Sequence, residues 1–238
     1  MCRWTARSLP RAARLRIVQI NPRMPRTHGD SFIHLNDFDA VIEVDEPLPE
    51  ASAPVISAEH LAVGRNVAEL IEDGATLQLG IGAIPNAVLG LLGDRRELGV
   101  HSEVVSDGVL ELVSAGVITG SRKTINRGKL VVAFLNGSRR LYDFADDNPM
   151  LEMRSFEYTN DTRTILRLDN MVAITLADGA GVTTSRAHVH WVATEHGRID
   201  RHGMDLAHRA HALIALAAPR FQDELTAAAL RRGLFRDG

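Results

Sequence analysis

The 238-residue chain is long enough for one large domain or two small ones, with a substantial buried core. Its formal net charge of −3 argues against nucleic-acid binding, because there is no basic excess to neutralise phosphates. The single cysteine, Cys2, excludes an internal disulfide framework and a cysteine-based zinc site.

Residues 1–16 form a basic tail with five arginines and no acid. The tail lacks the apolar centre of a secretory signal, so it is read as a transit peptide, a disordered tail or a mis-assigned start. No apolar run in the sequence approaches the length of a membrane-spanning helix. We therefore predict a cytoplasmic protein.

The next part of the chain, up to residue 57, contains short apolar segments separated by loops. The segments IVQI (17–20), FIHL (32–35) and AVIEV (40–44) are predicted to be strands. The proline-rich stretch at 45–57 is typical of a linker, and we divide the chain there.

Helical and extended patterns alternate after the linker. Apolar spacing predicts a helix that Ser57 caps and that Gly74 stops. The strand TLQLGIG then leads to a helix with Pro85 at its first position, and VHSEVV leads to a helix opened by Asp107. Further strands are predicted at 130–137, 171–175 and 187–195, with a short helix near 141–146 and two closing helices at 204–219 and 220–233.

This alternation predicts an α/β fold with an open, mainly parallel sheet. In such sheets, ligands bind beyond the carboxyl ends of the strands, where glycine turns lead into helices. The segments LGIGAIP (79–85) and HSEVVSDG (101–108) both lie at such ends.

The first of these segments contains a glycine turn that matches no complete phosphate-binding motif. Pro85 takes the third glycine position of the dinucleotide fingerprint, and no Gly-Lys-Ser/Thr follows. Glycines allow the backbone to approach a ligand closely, and N–H groups at a helix start attract negative charge. The turn is therefore read either as a site for a phosphate or an oxyanion, or as a tight turn without a ligand.

The second segment places a carboxylate, Glu103, inside an apolar strand. Alternation puts His101, Glu103 and Val105 on one face. A carboxylate near a core is unfavourable unless it is paired or used. Glu103 is thus either a nucleophile beside backbone N–H donors or a strand-end glutamate turned to solvent.

Together these segments resemble the acetyl-CoA hydrolase/transferase family, which includes the 4-hydroxybutyrate CoA-transferases. The resemblance runs from about Arg16 to Phe235, through NPRMPRTHGDSFIH, VGRNVAELIEDGATLQLGIGAIPNAV, LGVHSEVVSDGVLELVSAGVIT, GSRRLYDFADDNP, GAGVTTSRAHVHWVATEHG and ALIALAAPRFQDEL. It implies a CoA-transferase fold and an enzyme that uses coenzyme A as a substrate and needs no metal.

The resemblance also implies roles for particular residues. Glu103 occupies the H-[ST]-E position, whose glutamate attacks an acyl-CoA thioester to give a mixed anhydride and then a glutamyl-CoA thioester. The G-I-G-x-I segment that lies against coenzyme A corresponds here to Gly80, Ile81, Gly82, Ala83 and Ile84. Asn86 stands where many relatives carry aspartate.

Two departures from the family pattern bear on activity. Residues 17–50 correspond to the end of the N-terminal domain, and 51–238 to the C-terminal domain. In the latter, DNMVAIT runs directly into LADGAGVTTSR near 175–176, where relatives have a long segment with V-D-L-x-G-Q and G-V-G-G-Q motifs. The chain is thus expected to be an incomplete homologue, which is active, inactive, or half of a split enzyme.

Three partner arrangements follow: a homo-oligomer, a partner chain that supplies the missing half, or a non-catalytic interaction module.

Other residues have more ordinary interpretations. His188 and His190 share a strand face at a spacing that suits a metal, but no third ligand is evident. Arg186 and the pair Arg139-Arg140 are candidates for coenzyme A phosphates, with exposed salt bridges as the alternative.

Overall fold

The protein is described here by a computed structural model that covers residues 2–3, 13–168, 170–174 and 189–235. Its strands are β1 (Cys2–Arg3), β2 (Ile17–Ile20), β3 (His28–Gly29), β4 (Ala40–Glu43), β5 (Thr76–Leu79), β6 (Gly99–Val105), β7 (Leu130–Leu135), β8 (Leu151–Met153), β9 (Met171–Ile174), β10 (Trp191–Thr194) and β11 (Gly197–Asp200). Its helices are α1 (Ala58–Ala68), α2 (Ala83–Leu89), α3 (Gly108–Ser114), α4 (Arg139–Ala145), α5 (Phe156–Thr159), α6 (Thr162–Ile165), α7 (Leu206–Leu216) and α8 (Pro219–Arg231).

The main sheet confirms the predicted α/β fold with a mainly parallel sheet. Six parallel strands follow the order β3-β8-β7-β6-β5-β9, and β1 pairs antiparallel with β7. Leu77, Val100 and Val132 on the central strands are fully buried, as expected for parallel strands covered on both faces. The hydrophobic core therefore surrounds the strands that carry the two segments singled out in the sequence.

Helix α1 begins as the sequence predicts. Ser57 accepts a hydrogen bond from the His60 backbone N–H at 3.3 Å, and His60 Nδ1 accepts one from the Ser57 N–H at 3.1 Å. The helix packs closely on α2, since a Cβ at Gly64 would lie 3.3 Å from the Ala87 Cβ. Helix α1 thus packs against the helix that follows the glycine turn.

Several local predictions were wrong. Residues 32–35 form no strand, and a 3-10 turn spans Leu35–Asp37 instead. The predicted strand at 187–195 is limited in the described residues to β10, and Pro85 is the third residue of α2 rather than its first. These segments are short, so neighbouring contacts outweigh their local pattern.

Asp107 precedes α3 but makes no side-chain cap, contrary to the prediction. Its backbone is already helical, and its carboxylate instead accepts hydrogen bonds from the Ser138 N–H and hydroxyl, both at 2.8 Å. Asp107 therefore joins the segment after β6 to the start of α4.

The strands β2 and β4 form a separate parallel pair. Ile17, Val41 and Ile42 are 54%, 47% and 52% exposed, although a parallel pair is normally covered on both faces.

Among the described residues, no helix combines the length and apolar character needed to cross a bilayer. Residues 1 and 4–12 of the predicted basic tail lie outside the described residues, as does the junction near 175–176.

Candidate functional site

The glycine turn follows β5, and Glu103 lies in the adjacent strand β6. Strand β5 pairs in parallel with β6, with Thr76 opposite Gly99 and Leu77 opposite Val100. The same offset places Leu79 beside Ser102, and the two residues are joined by a 2.9 Å hydrogen bond. Gly80 and Glu103 each follow one residue after this bonded pair, Gly80 beyond the end of β5 and Glu103 two residues before the end of β6.

Ser102 holds these strand ends together. Its fully buried hydroxyl accepts the hydrogen bond from the Leu79 N–H and lies 3.0 Å from the Leu79 carbonyl and 2.8 Å from the Val104 carbonyl. Because a buried backbone group without a partner is costly, this side chain replaces sheet hydrogen bonds where the β5–β6 ladder ends. These hydrogen bonds restrict the backbone position of the next residue, Glu103.

Glu103 is the half-buried residue in a strand whose other six residues are buried. Its Oε2 accepts a 2.8 Å hydrogen bond from Asn160 Nδ2, and Asn160 Oδ1 in turn lies 3.5 Å from Gln78 Nε2. The carboxylate is thus neither enclosed in the core nor fully in solvent. A carboxylate with one oxygen bonded and partial access to solvent can act as a nucleophile.

The glycine turn has a backbone conformation that favours glycine. Gly82 has φ +114° and ψ −168°, and a Cβ there would meet no atom within 4 Å. The space beside Gly82 is therefore open. Asn86 stabilises the turn, because its Nδ2 donates to the Gly82 carbonyl at 2.8 Å while its Oδ1 lies 3.4 Å from the Ser106 hydroxyl.

Two buried bases lie close to Glu103 along the chain or on its strand: His101 belongs to β6 itself, and Lys123 is bonded to β6 at Val100. Burial, and then the charge of Lys123, lowers the pKa of His101 to about 4. Burial lowers the pKa of Lys123 to about 8, although Glu152 opposes the shift. Lys123 Nζ donates to the Val100 and Lys129 carbonyls at 2.9 and 2.8 Å.

The two other arginine candidates in the described residues, Arg139 and Arg140, form exposed ion pairs. Arg139 pairs with Asp143 at 2.6 Å, and Arg140 pairs with Glu111 at 2.8 Å, both on exposed surfaces. His188 and Arg186 lie outside the described residues. Within the described part of the chain, no group of three or more His, Cys, Asp or Glu side chains is arranged to hold a metal.

Sequence reasoning missed Asn160 and Gln78. Gln78 interrupts the apolar strand β5 and is half-buried, which is a signal that one side of this strand faces polar groups. Asn160 gave no comparable signal, because it lies 57 residues from Glu103 in a turn between two four-residue helices.

Comparison with protein families gives one matching description, the acetyl-CoA hydrolase/transferase C-terminal domain. The match falls on residues 137–177 and 174–229, in two pieces that meet beside the junction noted in the sequence.

The chain spans slightly less than two thirds of the length of two relatives that it matches. The chain is 40% identical to the 4-hydroxybutyrate coenzyme A transferase of Clostridium kluyveri over 275 positions, covering 90% of this chain and 64% of the relative. It is 34% identical to the succinyl-CoA:cyclohexane-1-carboxylate CoA transferase of Geobacter metallireducens over 289 positions, covering 96% and 66%. Both alignments exceed the 238 residues present, so each relative has residues without a counterpart here.

Solved structures agree with these sequence matches. RipA from Yersinia pestis superposes with a TM-score of 0.87 at 33% identity, covering 95% of this chain and 64% of RipA. A 4-hydroxybutyrate CoA-transferase from Porphyromonas gingivalis superposes with a TM-score of 0.86 at 32% identity, covering 97% and 70%.

Proposed function

Because this chain belongs to the acetyl-CoA hydrolase/transferase family, we propose that it moves coenzyme A between a short-chain acyl-CoA and a carboxylate. One observation carries the proposal. Glu103 is half-buried near the carboxyl end of a central parallel strand and follows Ser102, which is bonded to the last residue of the neighbouring strand before the glycine turn. Ligands of open α/β sheets bind at this end.

The proposed reaction begins when a Glu103 carboxylate oxygen attacks the thioester carbon of the acyl-CoA. A carbon–oxygen bond forms, the carbon–sulfur bond breaks, and the coenzyme A thiolate leaves. The thiolate then attacks the Glu103 Cδ and expels the acyl group as a carboxylate, which leaves a glutamyl-CoA thioester. Covalent catalysis of this kind replaces one difficult exchange with easier steps.

An acceptor carboxylate completes the transfer by the same two steps in reverse order. It attacks the glutamyl thioester to form a new mixed anhydride and release the thiolate, which then attacks the acceptor's acyl carbon and regenerates Glu103. If water attacks instead, the outcome is hydrolysis of the acyl-CoA. The two outcomes differ only in which nucleophile reaches Cδ.

We assign the turn Gly80, Ile81, Gly82, Ala83 and Ile84 to contact with coenzyme A. The open space beside Gly82 supports this assignment, because a glycine without neighbours lets a ligand approach the backbone. Ile81 is exposed and could cover the apolar part of the bound molecule. Binding energy from such remote contacts can lower the barrier at the reacting carbon.

The proposal is tested by trapping the covalent intermediate. The full chain is incubated with acetyl-CoA, treated with borohydride and digested, and the peptide containing Glu103 is analysed by mass spectrometry. We expect reduction of the Glu103 carboxyl to a primary alcohol, which requires a thioester at that position. Adding propionate as the acceptor then separates the two outcomes, because transfer gives propionyl-CoA whereas hydrolysis gives free coenzyme A.

Glu103→Gln should abolish the label because an amide is a poor nucleophile. Glu111→Gln is the matched control, since Glu111 is an exposed glutamate in an ion pair with Arg140. Labelling should be unchanged in that variant. A well-folded unmodified protein that gives no label and no turnover would rule out the proposed activity.

A second candidate function is a non-catalytic interaction module, with the chain as a homo-oligomer or with a partner chain that completes it. The parallel pair β2–β4 favours this candidate, because its apolar residues Ile17, Val41 and Ile42 are exposed. Large exposed apolar surfaces mark interaction sites. Loss of self-association or partner binding in Ile42→Lys, combined with absence of the Glu103 label, would favour this candidate over the enzyme.

A further inference from the structure

We propose that Asn86 is a positioning residue for coenzyme A, which holds the glycine turn in the conformation that receives the ligand; this inference rests on the proposed function. The contact that suggests it is the 2.8 Å hydrogen bond from Asn86 Nδ2 to the Gly82 carbonyl. The backbone N–H of Asn86 points at the same oxygen from 3.4 Å, so one residue supplies two donors to it. Asn86 therefore acts on the turn rather than on the ligand.

Gly82 does not hold its own conformation. Its φ of +114° and ψ of −168° lie in a region that residues with a side chain rarely enter. Glycine enters this region freely, but it adopts many other conformations as well. A Cβ at Gly82 would meet no atom within 4 Å, so packing on that side adds no restraint. The turn therefore depends on a contact from elsewhere, which Asn86 supplies.

The hydrogen bond from Asn86 fixes a whole peptide unit. Because the peptide is planar and trans, the Gly82 carbonyl and the Ala83 N–H point in opposite directions. A donor that fixes the Gly82 carbonyl therefore also fixes the direction of the Ala83 N–H. Gly82 and Ala83 both belong to the turn that we assign to coenzyme A. Asn86 thus sets the orientation of a peptide unit within the proposed contact surface.

The oxygen end of the Asn86 amide is confined by the segment that follows β6. Oδ1 lies 3.4 Å from the Ser106 hydroxyl, and a Cβ at Gly108 would lie only 2.7 Å from the same oxygen. Gly108 thus lets the start of α3 approach the amide closely. In the reverse orientation of the amide, Oδ1 would face the Gly82 carbonyl, which is also an acceptor. The amide therefore has one favourable direction, in which Nδ2 donates to the turn.

The segment that confines Asn86 is itself anchored. Asp107 lies between Ser106 and Gly108, and its carboxylate accepts hydrogen bonds from the Ser138 N–H and hydroxyl, both at 2.8 Å. The segment begins directly after the end of β6, the strand that carries Glu103. Asn86 therefore connects the turn after β5 with the segment after β6, and Asp107 connects that segment with the start of α4.

The decisive measurement is the Kd of coenzyme A for the full chain, determined by isothermal titration calorimetry. In Asn86→Ala the turn loses its side-chain donor, so the conformation that binds coenzyme A becomes a smaller fraction of the population. We expect the Kd to rise by about 3- to 10-fold, the range for loss of one hydrogen bond between neutral groups. Asn86→Asp keeps the shape of the side chain but cannot donate when ionised, so its Kd should rise at least as much.

Asn86→Ser provides a readout that a general loss of stability would not change. A serine inside a helix can donate its hydroxyl to the carbonyl four residues earlier, which here is that of Gly82. Asn86→Ser should therefore bind coenzyme A more tightly than Asn86→Ala, although the two side chains are similar in size. Equal Kd values in these two variants would assign the loss to shape and not to donation, and would overturn the positioning role.

Asn148→Ala is the matched control. Asn148 Nδ2 also donates to the carbonyl four residues earlier, that of Phe144, at 2.9 Å, and both asparagines are half-buried. This control should bind coenzyme A as tightly as the unmodified protein. An unchanged Kd in Asn86→Ala would contradict the positioning role. So would a rise in Asn148→Ala that equals the rise in Asn86→Ala.

Binding of coenzyme A and formation of the Glu103 thioester are separate measurements. If the unmodified protein binds coenzyme A but forms no thioester, the proposed transfer is overturned, and the Asn86 variants still decide the positioning role through their Kd values. If the unmodified protein does not bind coenzyme A, the positioning role is overturned.

Discussion

At the scale of single residues, the serine before the proposed nucleophile has a defined structural task. Ser102 is fully buried and satisfies backbone groups of Leu79 at the point where the β5–β6 ladder ends. The serine or threonine position of the H-[ST]-E pattern is explained by this hydrogen bonding, because both residue types carry a hydroxyl. The geometry of Glu103 thus depends on its neighbour as well as on its own contacts.

Ser102→Ala should lower the free energy of unfolding by about 1–3 kcal/mol, because it leaves a buried N–H and carbonyl of Leu79 unsatisfied. Urea denaturation followed by circular dichroism measures this change. Ser102→Thr keeps the hydroxyl, so its free energy of unfolding should fall less than that of Ser102→Ala. Ser106→Ala removes a hydroxyl from a half-buried residue with one long 3.4 Å contact. This change should lower the free energy of unfolding only slightly. Equal losses at positions 102 and 106 would contradict the proposed task.

The residue scale also shows what the sequence could and could not predict. Glu103 was singled out because a carboxylate interrupts a buried strand, and its half-buried position there was foreseeable; its role as nucleophile stays a prediction. Asn160 could not be found, since its contact with Glu103 spans 57 positions and depends on the folded turn. Asp107 was predicted to cap α3 from its position in the sequence alone. In the folded protein its carboxylate instead accepts hydrogen bonds from Ser138.

At the scale of secondary-structure elements, prediction succeeded where a pattern was long or began at a cap, whereas the predicted stop at Gly74 was wrong because α1 ends at Ala68. The periodic apolar residues of α1 and the continuous apolar run of β7 gave clear signals. Short elements such as β8, α5 and α6 were missed, because three or four residues carry no measurable periodicity. The turn that holds Asn160 belongs to this missed group.

Ser57→Ala should destabilise the protein by about 1 kcal/mol, because the first turn of α1 loses the acceptor of its capping box. The loss should appear as a lower urea midpoint with an unchanged slope. Ser52→Ala is the matched control, since Ser52 is an exposed serine in the same linker. An effect of equal size at Ser52 would mean that the cap does not stabilise α1.

At the scale of the whole molecule, the main sheet and the pair β2–β4 differ in how completely they are covered. The central strands have fully buried residues, whereas β4 is exposed along its entire length. The alternation of strands and helices was enough to predict the main sheet. The order of the strands was not predictable, because it depends on pairings such as β5 with β9, which lie almost a hundred residues apart.

The stability of the whole molecule should also depend on pH through His101. Burial, followed by the charge of Lys123, lowers the pKa of His101 to about 4 in the folded protein, from 6.5 for the unperturbed side chain. Between these values the unfolded chain binds a proton that the folded protein does not, so the free energy of unfolding falls as the pH decreases from 6.5 towards 4. The loss should approach about 3 kcal/mol at the lower end.

Urea unfolding at a series of pH values from 7 to 4 measures this loss. His101→Phe keeps a ring beside Tyr158 but cannot bind a proton, so its stability should change less over the same range. His202→Phe, the same change at an exposed histidine, should retain the dependence of the unmodified protein. Because every variant keeps the same carboxylates, their titration cancels when the curves are subtracted. Identical pH curves for His101→Phe and the unmodified protein would show that His101 takes up its proton equally in the folded and unfolded states.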